Sequence, residues 1–222
     1  MDETPAVSLR GPEPPKDCQN CSRLAAFRAA NRAAEPSWFN GAVPSFGDET
    51  ARLLIVGLAP GLKGANRTGR PFTGDYAGLL LYATLLEFGF AKGRYEARPD
   101  DGLLLIDCMI SNAVRCVPPQ NKPTPAEIAE CRHFLAARLA ALARLRAVLV
   151  LGRIAHDSTL AALAAPRREF PFAHGARHDV RQGLAVFDSL HCSRLNTNTG
   201  RLTAEMFRSV FAAIRSYVGN AR

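Results

Sequence analysis

Short apolar runs alternate along the chain with segments of helical spacing. The apolar runs predict four buried strands, which lie at residues 52–57, 103–113, 147–152 and 183–191. The segments of helical spacing predict helices at residues 75–89, 124–145, 153–165 and 203–218. Strands that alternate with helices are typical of a parallel sheet covered on both faces. The pattern therefore predicts a single α/β domain, a three-layer sandwich whose central, mostly parallel sheet has four strands.

Three polar segments each begin at or near the end of a predicted strand. They are GLAPGLKGANRTGRPFTGD at residues 57–75, SNAVRC at residues 111–116 and HCSRLNTNTGRLT at residues 191–203. Open α/β sheets place their sites beyond the carboxyl ends of the strands. We therefore expect the three segments to meet at one edge of the sheet and to form the functional site.

Nucleotide binding is one interpretation of the glycine-rich first segment, but its details disfavour it. A phosphate-binding loop of the Walker type carries Gly-Lys-Ser/Thr after four variable residues and leads directly into a helix. Gly64 and Gly69 have that spacing, but Arg70 and Pro71 stand where the lysine and the hydroxyl residue belong. The sequence therefore predicts that this loop builds a pocket of another kind.

The charge balance favours a polyanionic partner. Lysine and arginine number 28 against 20 acidic residues, which gives a net charge of +8. No apolar run approaches the roughly 20 residues that cross a bilayer, so no membrane association is expected. Residues 1–16 are polar and proline-rich and do not have the pattern of a secretory signal. We predict a flexible tail at residues 1–16, a folded domain at residues 17–222 and a cytoplasmic location.

Six cysteines in a protein expected in the cytoplasm indicate metal binding rather than disulfide bonds. Two residues separate Cys18 from Cys21, whereas fourteen separate Cys116 from Cys131. Structural zinc commonly uses two closely spaced pairs, so the long second spacing favours an iron–sulfur cluster. Spacing alone leaves zinc and incidental thiols open as alternatives. Cys108 lies within a predicted strand and is expected to be a buried packing residue.

Together these segments resemble the cluster-containing members of the uracil-DNA glycosylase superfamily, and most closely its family-five, or B-type, group. Residues 57–75 are similar to the first motif of that group, residues 112–131 to its central segment and residues 191–203 to its second motif. The resemblance implies a uracil-DNA glycosylase-like fold and a structural [4Fe–4S] cluster, and we expect a monomer. The cluster ligands that it implies are Cys18, Cys21, Cys116 and Cys131.

The resemblance also implies a monofunctional DNA glycosylase that flips uracil out of DNA and hydrolyses its N-glycosidic bond. Hypoxanthine and other deaminated bases are expected to be weaker substrates. Phe72 would stack on the flipped base, and His191 would stabilise the departing base anion. Asp75 would position the attacking water, although a role as a helix cap stays equally open. The base would be held by further residues, namely Gly57, Leu58, Ala59, Pro60, Gly61, Asn112 and Asn121.

Two groups of residues are expected to contact DNA. Lys63, Arg67 and Arg70 would approach phosphates, with a solvated loop as the alternative. The second motif would enter the DNA from the minor-groove side and fill the gap left by the base. Its candidate residues are Ser193, Arg194, Leu195 and Asn196. The main alternative function is a non-catalytic or covalently trapping protein that binds damaged DNA.

Overall fold

A six-stranded mixed sheet forms the centre of the protein in a computed structural model that describes residues 11–220. In spatial order its strands are β1 (Phe46–Gly47), β5 (Cys108–Asn112), β2 (Leu53–Gly57), β6 (Ala147–Leu151), β8 (Leu184–Ser189) and β7 (Arg177–Arg181). The four central strands are parallel, and the edge strands β1 and β7 pair in the antiparallel sense. A separate two-stranded ribbon pairs β3 (Ala91–Lys92) with β4 (Leu104–Leu105).

The prediction of a four-stranded sheet is wrong about the edges of the sheet. The predicted strands contain the four central ones, whose residues are all buried. β1 is only two residues long, and β7 has the sequence RHDVR, in which exposed and half-buried residues alternate. Neither edge strand contains an apolar run, so hydrophobic spacing could not indicate it. The predicted strand at residues 103–113 also breaks into β4 and β5 near Asp107, whose φ is +52°.

The helices surround this sheet. They are α1 (Ser22–Ala34), α2 (Ala65–Thr68), α3 (Tyr76–Glu87), α4 (Pro125–Ala141), α5 (Arg153–Ala162), α6 (Arg194–Asn198) and α7 (Ala204–Asn220), with 3₁₀ turns at Pro119–Asn121 and Arg167–Glu169. Within the described part of the chain, none of these helices has the length and apolar character that a membrane span requires.

Both faces of the sheet are covered by helices, as predicted. Leu53 and Ile55 of β2 belong to a core that includes residues of α3 and α7. Leu54 and Val56 of the same strand belong to a second core that includes residues of α4 and α5. Because successive side chains of a strand point to opposite faces, this alternation produces the three-layer arrangement.

Helix α4 begins with a capping box. The side chain of Thr124 accepts the N–H of Glu127, and the Glu127 carboxylate accepts the N–H of Thr124 at 2.8 Å. The same carboxylate pairs with Arg23 of α1 at 2.7 Å. Cys21 is the N-cap residue of α1, and Cys131 lies in α4. The capping box therefore also joins the two helices that carry cysteines.

Residues 12–16 pack against the domain, so the prediction of a flexible tail is wrong for them. The Glu13 carboxylate forms ion pairs with Arg115 and Arg138, which are both buried. It also accepts the N–H of Ser45 at 2.9 Å, and Pro14 is buried as well. Two buried guanidinium groups need a counter-charge, and Glu13 supplies it. Residues 1–10 of the predicted tail lie outside the described residues.

Candidate active site

A pocket of about 380 Å³ opens at the edge of the sheet where the parallel strands β2, β5 and β8 end. All three polar segments of the sequence contribute to it. Tyr76 and Ala77 also line the pocket but were not predicted as site residues, although they directly follow Asp75 in the sequence. The lining residues are Leu58, Ala59, Gly61, Phe72, Asp75, Tyr76, Ala77, Asn112, Asn121, His191, Ser193 and Arg194.

Gly57 ends β2 and makes room for two side chains beneath the pocket. A Cβ atom at this position would collide with the ring of Phe72 and with Oδ1 of Asn112. Asn112 is 3% exposed, and its buried Oδ1 finds no hydrogen-bond partner among the described residues. Leaving a buried acceptor unsatisfied costs about 1–3 kcal/mol. Asn112 therefore offers an acceptor that the N–H group of a ligand can satisfy.

Phe72 holds its ring in the pocket through an uncommon backbone conformation. Its φ is +56°, in the left-handed region that bulky side chains rarely adopt. Its carbonyl accepts a hydrogen bond from the Tyr95 hydroxyl at 3.1 Å, and a Cβ atom at Gly78 would collide with that carbonyl. The ring centre lies 5.9 Å from that of His191, with 26° between the ring planes. The pocket is therefore bordered by two nearly parallel rings.

The prediction that Arg70 contacts DNA phosphates is wrong, because its side chain is buried. It is 5% exposed, and two of its nitrogens donate to the Asp101 carboxylate at 2.7 and 2.8 Å. The guanidinium carbon lies 5.4 Å from the ring centre of Tyr82 and 5.8 Å from that of Tyr95. These four residues, Arg70, Asp101, Tyr82 and Tyr95, are called the Phe72 support below. The hydroxyl of Tyr82 donates to the carbonyl of Pro71, and that of Tyr95 donates to the carbonyl of Phe72, which fixes the backbone of this turn.

Asp75 occupies the N-cap position of α3, but its side chain does not cap that helix. The backbone N–H of Ala65, the first residue of α2, favours the ionised form of this carboxylate. A Cβ atom at Gly61 or Gly64 would collide with this carboxylate. Burial raises the pKa of Asp75, and the Ala65 N–H and the charge of Arg67 oppose that shift only in part. The glycine-rich loop thus encloses a carboxylate where a nucleotide-binding loop would hold a phosphate, which contradicts the nucleotide interpretation.

His191 follows the end of β8, is half-buried and lines the pocket. Burial lowers the pKa of His191 to about 4, so the ring is neutral at pH 7. A neutral imidazole carries one N–H group, which it can donate to a ligand oxygen. The side chain of Asn196 donates to the His191 carbonyl at 2.8 Å and fixes this part of the backbone.

The second motif forms α6, beside the pocket. The hydroxyl of Ser193, its N-cap residue, accepts the N–H of Asn196 at 3.5 Å. The Arg194 guanidinium lies 5.1 Å from the ring centre of Tyr76. Leu195 is 68% exposed. An apolar side chain that projects into solvent beside a pocket is available to insert between bases.

The remaining predicted residues lie at different depths around the pocket. Lys63 and Arg67 are exposed, so they are accessible to DNA phosphates. Asn121 is also exposed, lines the pocket and has a φ of +58°. Pro60 is buried and is not a lining residue.

The four cysteines that the sequence groups together converge in the fold around a small cavity. They are Cys18, Cys21, Cys116 and Cys131. Four cysteine sulfurs around one cavity form the donor set that an iron–sulfur cluster takes, and the same set would also suit a zinc ion.

Comparison with known proteins agrees with this geometry. Residues 44–215 match the profile of the uracil DNA glycosylase superfamily. The chain is 44% identical over 208 residues to the Type-5 uracil-DNA glycosylase of Thermus thermophilus, which covers 91% of this chain and 94% of that relative. It is 39% identical over 198 residues to the Type-5 uracil-DNA glycosylase of Pyrobaculum aerophilum, covering 87% and 86%. A Type-4 uracil-DNA glycosylase of Archaeoglobus fulgidus is 35% identical over 114 residues, about half of each chain. The chain therefore belongs to the uracil-DNA glycosylase superfamily, and within it to the type-5 group.

Proposed function

We propose that this protein is a monofunctional DNA glycosylase that flips uracil into the pocket and removes it from DNA. The coverage of the type-5 relatives supports this activity. The observation that carries the choice of base is the buried, unpaired Oδ1 of Asn112 near the ring of Phe72. Uracil presents an N3–H donor between two carbonyl groups, so it can satisfy Oδ1 while its ring stacks on Phe72. Cytosine presents an acceptor at that position and is disfavoured.

Hydrolysis of the N-glycosidic bond develops positive charge on the sugar and negative charge on the base. Asp75, as a carboxylate, orients a water molecule, takes its proton and offsets the charge of the sugar. The water oxygen bonds to the sugar C1′ while the bond from C1′ to the base nitrogen breaks and its electron pair leaves with the base. The neutral ring of His191 donates its N–H to the base oxygen beside the breaking bond and stabilises the anion. The products are the free base and an abasic site.

We propose that water is the attacking group and that the strand stays intact. A glycosylase that also cuts the strand needs an amine nucleophile. Lys63, the lysine of the first motif, is exposed and is not a lining residue of the pocket. Hypoxanthine is proposed as a weaker substrate, because its N1–H lies beside a carbonyl group as the uracil N3–H does, but its two-ring base is larger. Action as a monomer in the cytoplasm stays a prediction.

We also propose a structural [4Fe–4S] cluster on Cys18, Cys21, Cys116 and Cys131. When bound, it would link the segment before α1 to α4 through metal–sulfur bonds. Burial raises the pKa of Cys116 to about 11 and that of Cys131 to about 12, so both are protonated thiols without a metal. Ligands of iron must be thiolates, and the positive charge of bound iron would stabilise that form. Metal analysis of protein purified without oxygen is expected to give about four iron atoms per chain. One equivalent of zinc without iron would contradict the cluster.

The activity is tested on an end-labelled duplex with one uracil, read with and without hot alkali. Wild type is expected to give a break only after alkali, whereas a matched duplex with cytosine in place of uracil stays intact. Asn112→Ala should remove uracil roughly 10- to 100-fold more slowly, since it loses a specific base contact. Asn31→Ala, on α1 outside the pocket, is the control. Equal rates for Asn112→Ala and wild type would contradict the assigned role of Asn112.

The alternative functions are distinguished in the same assay. Binding of the damaged duplex without any break on uracil or hypoxanthine would favour a non-catalytic binding protein. A protein–DNA complex that survives denaturation would favour covalent trapping.

A further inference from the structure

The edge of the sheet opposite the active-site pocket carries a second concave site. Arg52 precedes β2, Arg144 and Arg146 precede β6, and Arg181 ends β7 at the turn into β8. Because β2, β6 and β8 lie side by side and are parallel, these arginines share the edge where the strands begin. They line a cleft of about 440 Å³, called the arginine cleft below. A strand of five residues rises about 17 Å, which separates this cleft from the pocket.

Two carboxylates offset part of the positive charge of the arginine cleft, Asp107 by a direct ion pair with Arg52 and Asp48 at longer range through Arg144. Arg52 is held by Asp107 at 2.6 Å and donates to a backbone carbonyl at 3.1 Å. Arg144, Arg146 and Arg181 take part in none of the ion pairs among the described residues. The Nε atom of Arg146 is buried and has no hydrogen-bond partner there either. Like charges around one cleft repel each other, so a bound anion would stabilise this arrangement.

The residues that line the arginine cleft indicate which class of anion it can bind. The described lining residues include no aromatic side chain, so a nucleobase would have nothing to stack on. Apolar contacts come only from an alanine and two leucines, which offer a peptide little to anchor on. Guanidinium groups bind phosphate in a bidentate manner, and three that form no ion pair among the described residues exceed what a single phosphate needs.

We propose that the arginine cleft binds an anion with several phosphate groups and recognises it through the phosphates alone. Two sources have this chemistry, a free inorganic polyphosphate and the backbone of a nucleic-acid strand. In the second case the protein would hold two DNA segments at once, at opposite edges of its sheet. The cleft shares no residue with the active-site pocket, so the proposal does not depend on the glycosylase activity.

The first test uses tripolyphosphate and isothermal titration calorimetry. Wild type is expected to bind one equivalent, and the double variant Arg144→Ala/Arg181→Ala to bind at least 10-fold more weakly. Both substituted residues are exposed, so the variant should keep the melting temperature of wild type and its rate of uracil removal from a short duplex. Arg167→Ala/Arg168→Ala removes the same charge from another exposed segment and is the matched control. Equal weakening in the two double variants, or none in the cleft variant, would overturn the proposal.

The second test identifies the source of the phosphates with a uracil-free duplex of 12 base pairs. If nucleic acid is the natural ligand, wild type should bind two duplexes and the cleft variant one, with tripolyphosphate displacing only the second. One duplex for both proteins, together with the loss of tripolyphosphate binding in the variant, would identify a free polyphosphate. Binding of neither probe to wild type at this cleft would overturn the proposal.

Discussion

The two motifs that border the pocket are built in different ways. The turn that carries Phe72 is buried and rests on the Phe72 support, in which an ion pair lies against aromatic rings. Helix α6 is five residues long, and none of its residues is buried. Its one large apolar side chain, Leu195, is exposed to solvent.

We propose that this difference reflects two different tasks. A group that must meet a flipped base in one geometry gains from a rigid, preorganised position. A segment that must enter distorted DNA acts on a partner that is absent until binding, so it stays exposed and short. Substitutions in the Phe72 support should therefore reduce stability and activity together, whereas substitution of the exposed Leu195 in α6 should change DNA binding alone.

The largest effect is expected from Asp101→Asn. The substitution removes the negative charge of Asp101 and leaves the buried charge of Arg70 unpaired. Removing one partner of a buried ion pair costs about 3–5 kcal/mol. The free energy of unfolding should fall by that amount in urea titrations. Glu96→Gln lies in the same loop and breaks only half-exposed pairs with Arg94 and Arg98, so its loss should stay below about 1 kcal/mol. Similar losses in both variants would show that the support does not hold the turn.

Asp75→Asn is expected to slow uracil removal and to raise stability. Loss of a general base typically slows a reaction by about 100-fold or more. The folded pKa of Asp75 lies above its ordinary value of 3.8, so the ionised carboxylate lowers stability at pH 7 and this cost disappears below pH 3.8. Asparagine keeps an acceptor for the Ala65 N–H but carries no charge. A melting temperature at pH 7 below that of wild type would contradict the burial of this charge.

Leu195→Ala is expected to weaken binding to a uracil duplex by about 10-fold and to leave the melting temperature unchanged. Binding should weaken because burying a leucine side chain between bases contributes about 1.5–3 kcal/mol. The melting temperature should not change because Leu195 is exposed in the free protein. Leu104→Ala, another exposed leucine that does not line the pocket, serves as the control for fluorescence-anisotropy titrations. Equal affinity of both variants would exclude Leu195 as the inserted residue.

The smallest expected effect is a change in how stability depends on pH, and it involves β8, the strand that leads to His191. Both ring nitrogens of His156 face acceptors, the Asp188 carboxylate at 2.7 Å and the Phe170 carbonyl at 2.9 Å. Burial opposes protonation of His156, but these acceptors outweigh it and raise its pKa above 6.5. The stabilisation is thus fully present below pH 6.5 and is lost as pH rises through the folded pKa. Chemical unfolding from pH 6 to 9 should show this decline in wild type and a weaker one in His156→Gln, whereas identical slopes would contradict it.

Local patterns predicted part of this molecule and missed the part that depends on distant contacts. The apolar runs indicated the four central strands because those strands are buried on both faces. Arg70 was misassigned because its partner, Asp101, is 31 residues away and no local pattern shows which way an arginine points. The ion pair of Glu13 with Arg115 spans 102 residues and was missed for the same reason. Asn112 could be placed at a strand end, but only the structure reveals its unpaired oxygen.

Stabilisation of the departing base anion by a neutral His191 is the step on which the proposed mechanism depends most. It is tested by single-turnover removal of uracil from a short duplex by wild type, His191→Ala and the control His133→Ala, whose histidine lies on α4 and does not line the pocket. We expect a rate about 100- to 1,000-fold lower for His191→Ala, unchanged DNA affinity and a wild-type rate for the control. A rate for His191→Ala within a few-fold of wild type would contradict the role of His191 in stabilising the base anion.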